Sequence, residues 1–346
     1  VKGRVVVLSH LDGREAAALM VDGRLEDLLV AAGPDGPPAP GAIFRGVVDR
    51  PVKGQGGVFL RLPDGLRAFL REAKGLRPGQ PLLVQVTGHA EPGKAVPVTT
   101  RLLFKSRHAI VTPDAPGLNL SRRIRDEGER ARLAEIAASA MAGSDHGLIL
   151  RSAAEDAGDE EIAADIAAMR DLAAQVMGDA SREPELLLDG PGPHLLAWRD
   201  WADPPPDEVA EGPGAFADHG VLEALGGLGR AEVALGGGAT MWVEPTRALV
   251  AVDINTGADT TPAAGLKANL AAARELPRQL RLRGLGGQVA IDFAPMPKND
   301  RRAVEGVLKA AFRADPVETA LAGWTPLGHY ELQRKRERLP LAGVLP

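Results

Sequence analysis

Two aspartates in the last third of the sequence carry the clearest chemical signal. Each closes a short apolar run: Leu249 to Val252 before Asp253 in RALVAVDINTG, and Gln288 to Ile291 before Asp292 in GGQVAIDF. A carboxylate at the end of a buried strand is costly unless something pairs with it. Two of them at the ends of neighbouring strands offer hard oxygen donors to a divalent cation, Mg2+ above all, with water completing the octahedron. Such a cation polarises a phosphoryl oxygen and makes a bound water more acidic. Asn255 follows Asp253 by two residues and falls on the same side of an extended chain. Its amide can orient the Asp253 carboxylate or touch a substrate. Either aspartate alone reads more readily as a turn or helix cap; the pair, with basic flanks, favours chemistry. Lys298, Asn299, Arg301 and Arg302 follow Asp292 closely, and a basic loop beside two carboxylates suits a phosphodiester. The seven histidines are scattered and none falls within the two aspartate motifs, so no nucleophilic triad competes.

The elements that must hold these side chains follow from periodicity. Both apolar runs are β-branched and short, as buried strands are. Pro262 to Arg283 between them is rich in Ala, Leu and Arg and reads as a crossover helix. Strand, helix, strand is the βαβ unit, whose ligands sit at the carboxyl ends of the strands. Pro277 is expected to kink that helix. Upstream, LGGGATMWVEPTR supplies a Gly-rich turn and a hairpin into the Asp253 strand. Its GGG is no phosphate loop, because no Lys-Ser/Thr follows and no helix starts there. Downstream come the loop APMPKND, a helix from Asp300 to Ala314, a short strand near Ala322, and a tail, LGHYELQRKRERLPL, that ends on a basic helix.

The rest of the chain changes character by segment. Residues 1–40 read as two strands, GRVVVLSH and AAALMVDGRLEDLLV, with a turn at Val21, Asp22 and Gly23, then a Pro-rich linker. Residues 41–100 hold about five short strands split by Gly, Pro and Asp, the pattern of a small OB-type barrel. Such barrels bind single-stranded nucleic acid by stacking bases on exposed aromatics beside basic side chains. Phe59 and Phe69 are the candidates, with Arg45, Lys53 and Arg67 nearby in sequence; the alternative is that both rings pack in the core. Residues 101–185 combine the strand HAIVTP, an amphipathic helix over 126–141 and another over 160–177. Between the helices, GLILRSAA is a strand leading to Arg151 and Ser152. Arg151 can bind a phosphate or pair with the acidic residues downstream. ELLLDG and HLLAWRDWA, after residue 186, read as strands beside a Pro-rich acidic connection.

At 346 residues the chain calls for several domains. The formal net charge of −5 conceals segregation. Residues 41–130 carry 16 Lys/Arg against 8 Asp/Glu, residues 151–220 carry 4 against 17, and residues 267–313 carry 10 against 4. Two basic regions flanking an acidic one fit a surface that guides a polyanion, or a mosaic of solvated faces. There is no cysteine, which removes disulfides, thiolate zinc sites and cysteine nucleophiles. No stretch approaches a membrane span, and the N-terminus lacks a signal-peptide pattern, so a soluble cytoplasmic protein is expected.

At this point the motifs resemble the ribonuclease E/G endoribonucleases. The likeness lies in EPTRALVAVDIN, in NLAAARELPRQLRLRGLGGQVAIDF, in RRAVE and in LGHYELQRKR. It extends upstream through GRVVVL, FRGVVDRP, VFLRL, AFL, VTT, NLSRRI and GLILRSA, and is weak over residues 190–235. The resemblance implies an α/β multidomain protein. An RNase H-like piece is formed by residues 1–40 and 186–235. An S1 (OB-type) β-barrel at 41–100 is inserted in it, with a 5′-sensor region at 101–185 and a DNase I-like α/β catalytic domain at 236–346. It implies Mg2+-dependent cleavage of single-stranded RNA to 5′-phosphate and 3′-hydroxyl ends, in RNA processing or decay. Asp253 and Asp292 would be the metal ligands and Asn255 their support. Phe59, Phe69, Arg122, Arg123, Lys298 and Arg301 would contact RNA. Arg151, Ser152 and Ile110 would form a pocket for a 5′-monophosphate. Ser152 stands where the family has Thr, and Ser106 where it has Gly. The family's cysteine pair, which shares zinc across a dimer, has no counterpart. The expectation is a short form, without that zinc link or the C-terminal small domain, homo-oligomeric if at all by another route. The alternative is a catalytically weak RNA-binding protein of the same fold, acting in regulation or rRNA maturation.

Overall fold

The computed structural model describes residues 3–51, 56–71, 74–91, 93–259 and 261–343, so Lys53 lies outside the described residues. The chain divides into two units, residues 1–31 with 209–346, and residues 32–208. It is a mixed α/β protein, and each unit has its own sheets and apolar core.

The first unit opens with a meander of three strands rather than two: Arg4–Leu11, Arg14–Val21 and Arg24–Val30. The additional turn is Asp12-Gly13. Like Asp22-Gly23 it is a two-residue Asp-Gly connection with both residues at positive φ (51° and 72°, against 49° and 77°), as a type I′ hairpin turn requires. A short strand, Glu208–Glu211, pairs on the far side of Arg4–Leu11. Phe216, Val221 and Leu225 pack onto Val7, Ala18 and Leu28 of the meander.

The larger sheet of this unit runs in the order Glu232–Gly236, Ala239–Pro245, Val250–Asn255, Gly287–Asp292, Tyr330–Arg334, Thr319–Trp324. Within this sheet, among the described residues, the two aspartate strands alone pair in parallel; the crossover between them is the helix Pro262–Leu282. That helix continues through Pro277 without a break. Its inner stripe of Ala268, Ala272, Leu276 and Leu280 joins Val304, Leu308 and Phe312 of the next helix, Arg301–Ala314. Both meet the same face of the sheet, formed by Met241, Val243, Val252, Ile254, Val289 and Ile291. Side chains alternate across a strand, so the residues between these, Trp242, Asp253, Asn255 and Asp292, stand exposed on the opposite face.

The tail is a correction. It was expected to end on a basic helix, but Tyr330–Arg334 is a strand antiparallel to Gly287–Asp292. Tyr330, Leu332 and Arg334 are buried while Glu331 and Gln333 are exposed. The inward arginine hid this period of two. Arg334 is buried because Asp315 is buried opposite it: their side chains are each 1% exposed and 2.8 Å apart, and Arg281 contacts the same carboxylate.

In the second unit, Ile43–Pro51, Gly57–Arg61, Arg67–Arg71, Val96–Thr99 and Pro81–Val86 close into a five-stranded OB-like barrel, the ring completed between first and last. Val58, Leu60, Ala68, Leu70 and Val84 fill it. A second sheet, Leu118–Leu120, Gly147–Leu150, Ala109–Thr112 and Phe104–Lys105, is covered by helices Glu127–Ala140 and Asp159–Met177. Glu185–Leu188 is a strand as expected, paired to the barrel's first strand. HLLAWRD is not: Pro193–Asp200 is a helix. Pro193 at its first position is pre-organised for helix, and Pro193, Ala197 and Trp201, four residues apart, are its buried stripe.

Candidate active site

Asp253 and Asp292 are register partners on the two parallel strands, so their Cα atoms are separated by one strand spacing, about 4.8 Å. Both carboxylates are exposed on the uncovered face. Like charges directly opposite one another destabilise a sheet. The fold nevertheless presents this pair, and a divalent cation between the two would turn their repulsion into an attraction. Asn255, on the same strand and face, donates its amide to Asp253 Oδ2 at 2.7 Å. That bond holds one oxygen of the carboxylate and restrains its rotation.

The backbone around the pair is clamped from beneath. Asn269 of the crossover helix is fully buried; its amide donates to the Ala294 carbonyl at 2.9 Å and accepts from the Ala294 N–H at 2.9 Å. The loop after Asp292 is thereby tied at two residues' distance. Gly265 makes room for the same loop, because a Cβ there would lie 2.4 Å from the Pro295 carbonyl oxygen. On the Asp253 side, Gly257 sits at φ +69°, and a Cβ there would stand 2.4 Å from the Gly238 carbonyl. Only glycine brings the loop beyond Asn255 so close to the Gly236–Gly238 turn.

The sheet register adds two side chains to the row. Trp242 is the partner of Asp253 on the antiparallel neighbour. On the other side, His329, which lies outside both aspartate motifs, places Nε2 3.9 Å from Asp292 Oδ2. In the sequence Trp242 is one residue of a hairpin, and His329 stands in a tail whose basic residues imitate a helix. Arg301 stacks on Trp324, its guanidinium carbon 4.5 Å from the ring centroid, and approaches Gly328 beside His329. It makes no ion pair among the described residues. Lys298 is exposed in the loop after Asp292. The donor set fits Mg2+: oxygen ligands from two carboxylates, open to water, where Mg2+ typically keeps several waters. No cluster of three or more His, Asp or Glu side chains gathers for a metal among the described residues.

The remaining predicted residues belong to the second unit. Phe59 and Phe69 are register partners on adjacent barrel strands, with ring centroids 5.2 Å apart and Arg67 4.4 Å over Phe59. Both alternate with core residues and are half-buried on the outer face. Arg45, expected beside them, turns inward instead: it is 2% exposed and paired with Asp179 and Glu185. Arg122 and Arg123 are exposed. Arg151 donates to Asp200 at 2.8 Å and to the Ser106 carbonyl at 2.8 Å. Ser152 donates to Asp203 at 2.6 Å, a carboxylate that Arg123 also approaches at 3.3 Å. Of the two fates open to Arg151, pairing with an acidic residue downstream is the one seen. Ile110 is half-buried on the neighbouring strand, opposite Ile149. Ser106 is part of a buried network, donating to Asp165 Oδ2 at 2.6 Å while His108 Nδ1 lies 3.3 Å from the same oxygen.

Burial raises the Asp165 pKa, but the hydrogen bonds from His108 and Ser106 outweigh it and hold the carboxyl below the usual 3.8. Asp200 is held below 3.8 in the same way, burial opposed by Arg199 and Arg151. A depressed carboxylate contributes stability that is complete above its unfolded pKa and lost as pH falls through the folded value. The unfolding midpoint of the protein in urea should therefore fall steeply below pH 3.8. Asp165→Asn should flatten that fall; an unchanged acid limb would remove Asp165 from it.

A profile of the Ribonuclease E/G family matches residues 104–212 and 207–337. Ribonuclease G of Escherichia coli K12 is 32% identical over 311 residues, covering 78% of this chain and 62% of that protein. Ribonuclease G of Haemophilus influenzae is 29% identical over 306 residues, covering 78% and 62%. Ribonuclease E of Nostoc sp. PCC 7120 is 28% identical over 390 residues, covering 93% of this chain and 54% of that protein. The chain thus spans 62% or less of these relatives' lengths. Both aspartate strands, the crossover helix and the Arg151 segment fall inside the matched residues, and the chain belongs to the ribonuclease E/G family.

Proposed function

We propose that the protein is an endoribonuclease that cuts single-stranded RNA at the Asp253–Asp292 pair with Mg2+, leaving 5′-phosphate and 3′-hydroxyl ends. The observation that carries this reading is the pair itself: two exposed carboxylates in register on parallel strands, an arrangement unfavourable for the fold alone. Asp253 and Asp292 would hold the ion, and Asn255 would keep Asp253 turned toward it. When bound, Mg2+ supplies charge neutralisation at a phosphoryl group and a more acidic water. Lys298 and Arg301 then meet the flanking phosphates, and Phe59, Phe69, Arg122 and Arg123 are the RNA-binding side chains of the second unit. The domain reading follows: an RNase H-like piece, an S1 barrel, a 5′-sensor region and a DNase I-like catalytic domain. Among the described residues no helix is long and apolar enough to cross a membrane, and RNA processing or decay calls for a cytoplasmic location. The test is the end chemistry of products from a single-stranded RNA. Internal cuts with 5′-phosphates are expected; 2′,3′-cyclic phosphate ends would exclude a water nucleophile and defeat the proposal.

The Arg151–Ser152 pocket carries its own prediction. A 5′-phosphate reaches these groups by displacing Asp200 and Asp203. RNAs bearing 5′-phosphate and 5′-hydroxyl ends should therefore be cut at similar rates. Asp203→Ala frees Ser152 and Arg123, and should raise the preference for 5′-phosphate about tenfold, the size of one charge-assisted hydrogen bond. A strong preference before that change would show that Asp203 yields to the ligand unaided.

A further inference from the structure

Trp242 is not accounted for by folding. Its strand neighbours Met241 and Val243 are 0% and 1% exposed and serve the core. Trp242 points the other way, 38% exposed, onto the face that carries the aspartates. The protein's other ring clusters are self-satisfied: Phe59 lies on Phe69 beneath Arg67, Trp198 beneath Arg107, and Trp324 between Phe293, Tyr330 and Arg301. No ring or guanidinium packs on Trp242 among the described residues. It sits one strand from Asp253 and two from Asp292, about 5 Å and about 10 Å laterally, the scale of one nucleotide's reach from base to phosphate.

The rest of the row supplies carboxylates, an amide and the smaller, polar imidazole of His329, which lies against Asp292; the indole is the largest flat face among them. Attraction between a bound cation and a phosphate is blind to which phosphate along the strand is taken. A base held in a fixed place breaks that degeneracy. Indole offers a large rigid face for it, and stacking tolerates any base because each has a π-face.

We propose that Trp242 is the platform on which a base adjoining the scissile phosphodiester stacks, so that it sets which phosphate lies on the Asp253–Asp292 pair. This rests on the reading of the chain as an RNA-cleaving enzyme. Trp242 is a positioning residue of that reaction rather than a member of the carboxylate chemistry. The occupant is a nucleobase of the substrate strand.

Two measurements test it. In the first, single-stranded RNAs with one abasic site at successive positions are cut by the wild type, Trp242→Ala and Trp242→Phe. The wild type should be slowed at one position beside the cut, roughly 5- to 150-fold, the range of a single base–aromatic stack. Trp242→Ala should lose that positional sensitivity and spread its cuts, and Trp242→Phe should recover both in part. In the second, tryptophan fluorescence is followed as the same RNA is added to Asp292→Asn, with and without Trp242→Phe. A quench that disappears with the indole at position 242 is expected. If Trp242→Ala cuts at the same sites with the same abasic profile, the platform is overturned while the nuclease reading stands. If no variant binds or cuts RNA, both fall. A Trp242 signal that changes with protein concentration in the absence of RNA would assign this face to self-association and overturn the proposal.

Discussion

Asp292→Asn is expected to slow single-turnover cleavage of single-stranded RNA by roughly 10²–10³-fold, the order seen when one stabilising group is removed from a transition state. The replacement keeps size and strand register and removes only charge. The affinity of the protein for RNA in chelator should survive, since a carboxylate repels the phosphate backbone and its loss removes no attraction. Stability gives an independent readout. The two side chains face each other across one strand spacing without an opposite charge between them, so the variant's melting temperature in chelator should match or exceed the wild type's. Mg2+ should raise the melting temperature of the wild type and not that of the variant, because a ligand that binds only the folded state stabilises it. Asp253→Asn should behave alike, its amide oxygen still able to accept from Asn255 while the charge is lost. A variant that cuts at the wild-type rate would remove Asp292 from the chemistry. One that melts much lower would return it to a structural role.

The largest effect on the fold is expected at Asp315. Its carboxylate accepts from Arg334 at 2.8 Å and from the Val317 N–H at 2.9 Å, and it contacts Arg281. Both Asp315 and Arg334 are nearly inaccessible to water. Burial pulls the Arg334 pKa below its ordinary value while Asp315 opposes that pull, so the carboxylate is what keeps the buried cation tolerable. Removing one member of a buried pair leaves the other uncompensated and costs about 3–5 kcal/mol. Against a typical total of about 5–15 kcal/mol, Asp315→Ala should leave the protein marginal at 25 °C, as read from its urea unfolding curve. Arg334 lies on the strand that carries the row past Asp292 to His329, so partial unfolding there should also cost activity. A loss below 1 kcal/mol would mean that Arg281 and Arg334 find other partners or water.

The aspartate pair was legible because every step toward it is local: two apolar runs, each ending on Asp, joined by one helix-length segment. A parallel pairing with a crossover then brings the strand ends together with little freedom. The barrel was legible for a similar reason, its short strands being separated by turn residues, and the outward Phe59 and Phe69 follow from alternation. Trp242 and His329 were hidden because their place depends on antiparallel register, set for one by the Gly236–Gly238 turn and for the other by a tail whose basic residues imitate a helix. Arg45 and Arg334 show the same difficulty from the other side. An arginine in a strand reads as exposed until its buried or half-buried carboxylate partner, Asp179 or Asp315, is seen across more than a hundred residues in the first case and 19 in the second. HLLAWRD misled by its apolar density, which concealed a four-residue spacing. Asp12-Gly13 was passed over although its chemistry matches the turn that was recognised ten residues later.

On this reading the carboxylate pair works through a divalent cation. The most direct measurement is the rate of single-turnover cleavage of one single-stranded RNA as Mg2+ is titrated into chelator-stripped protein. The rate should be negligible without the ion, rise to saturation with it, and remain flat for the Asp253→Asn, Asp292→Asn double variant. Cleavage that persists in chelator, or a double variant that follows the same Mg2+ curve as the wild type, would contradict it.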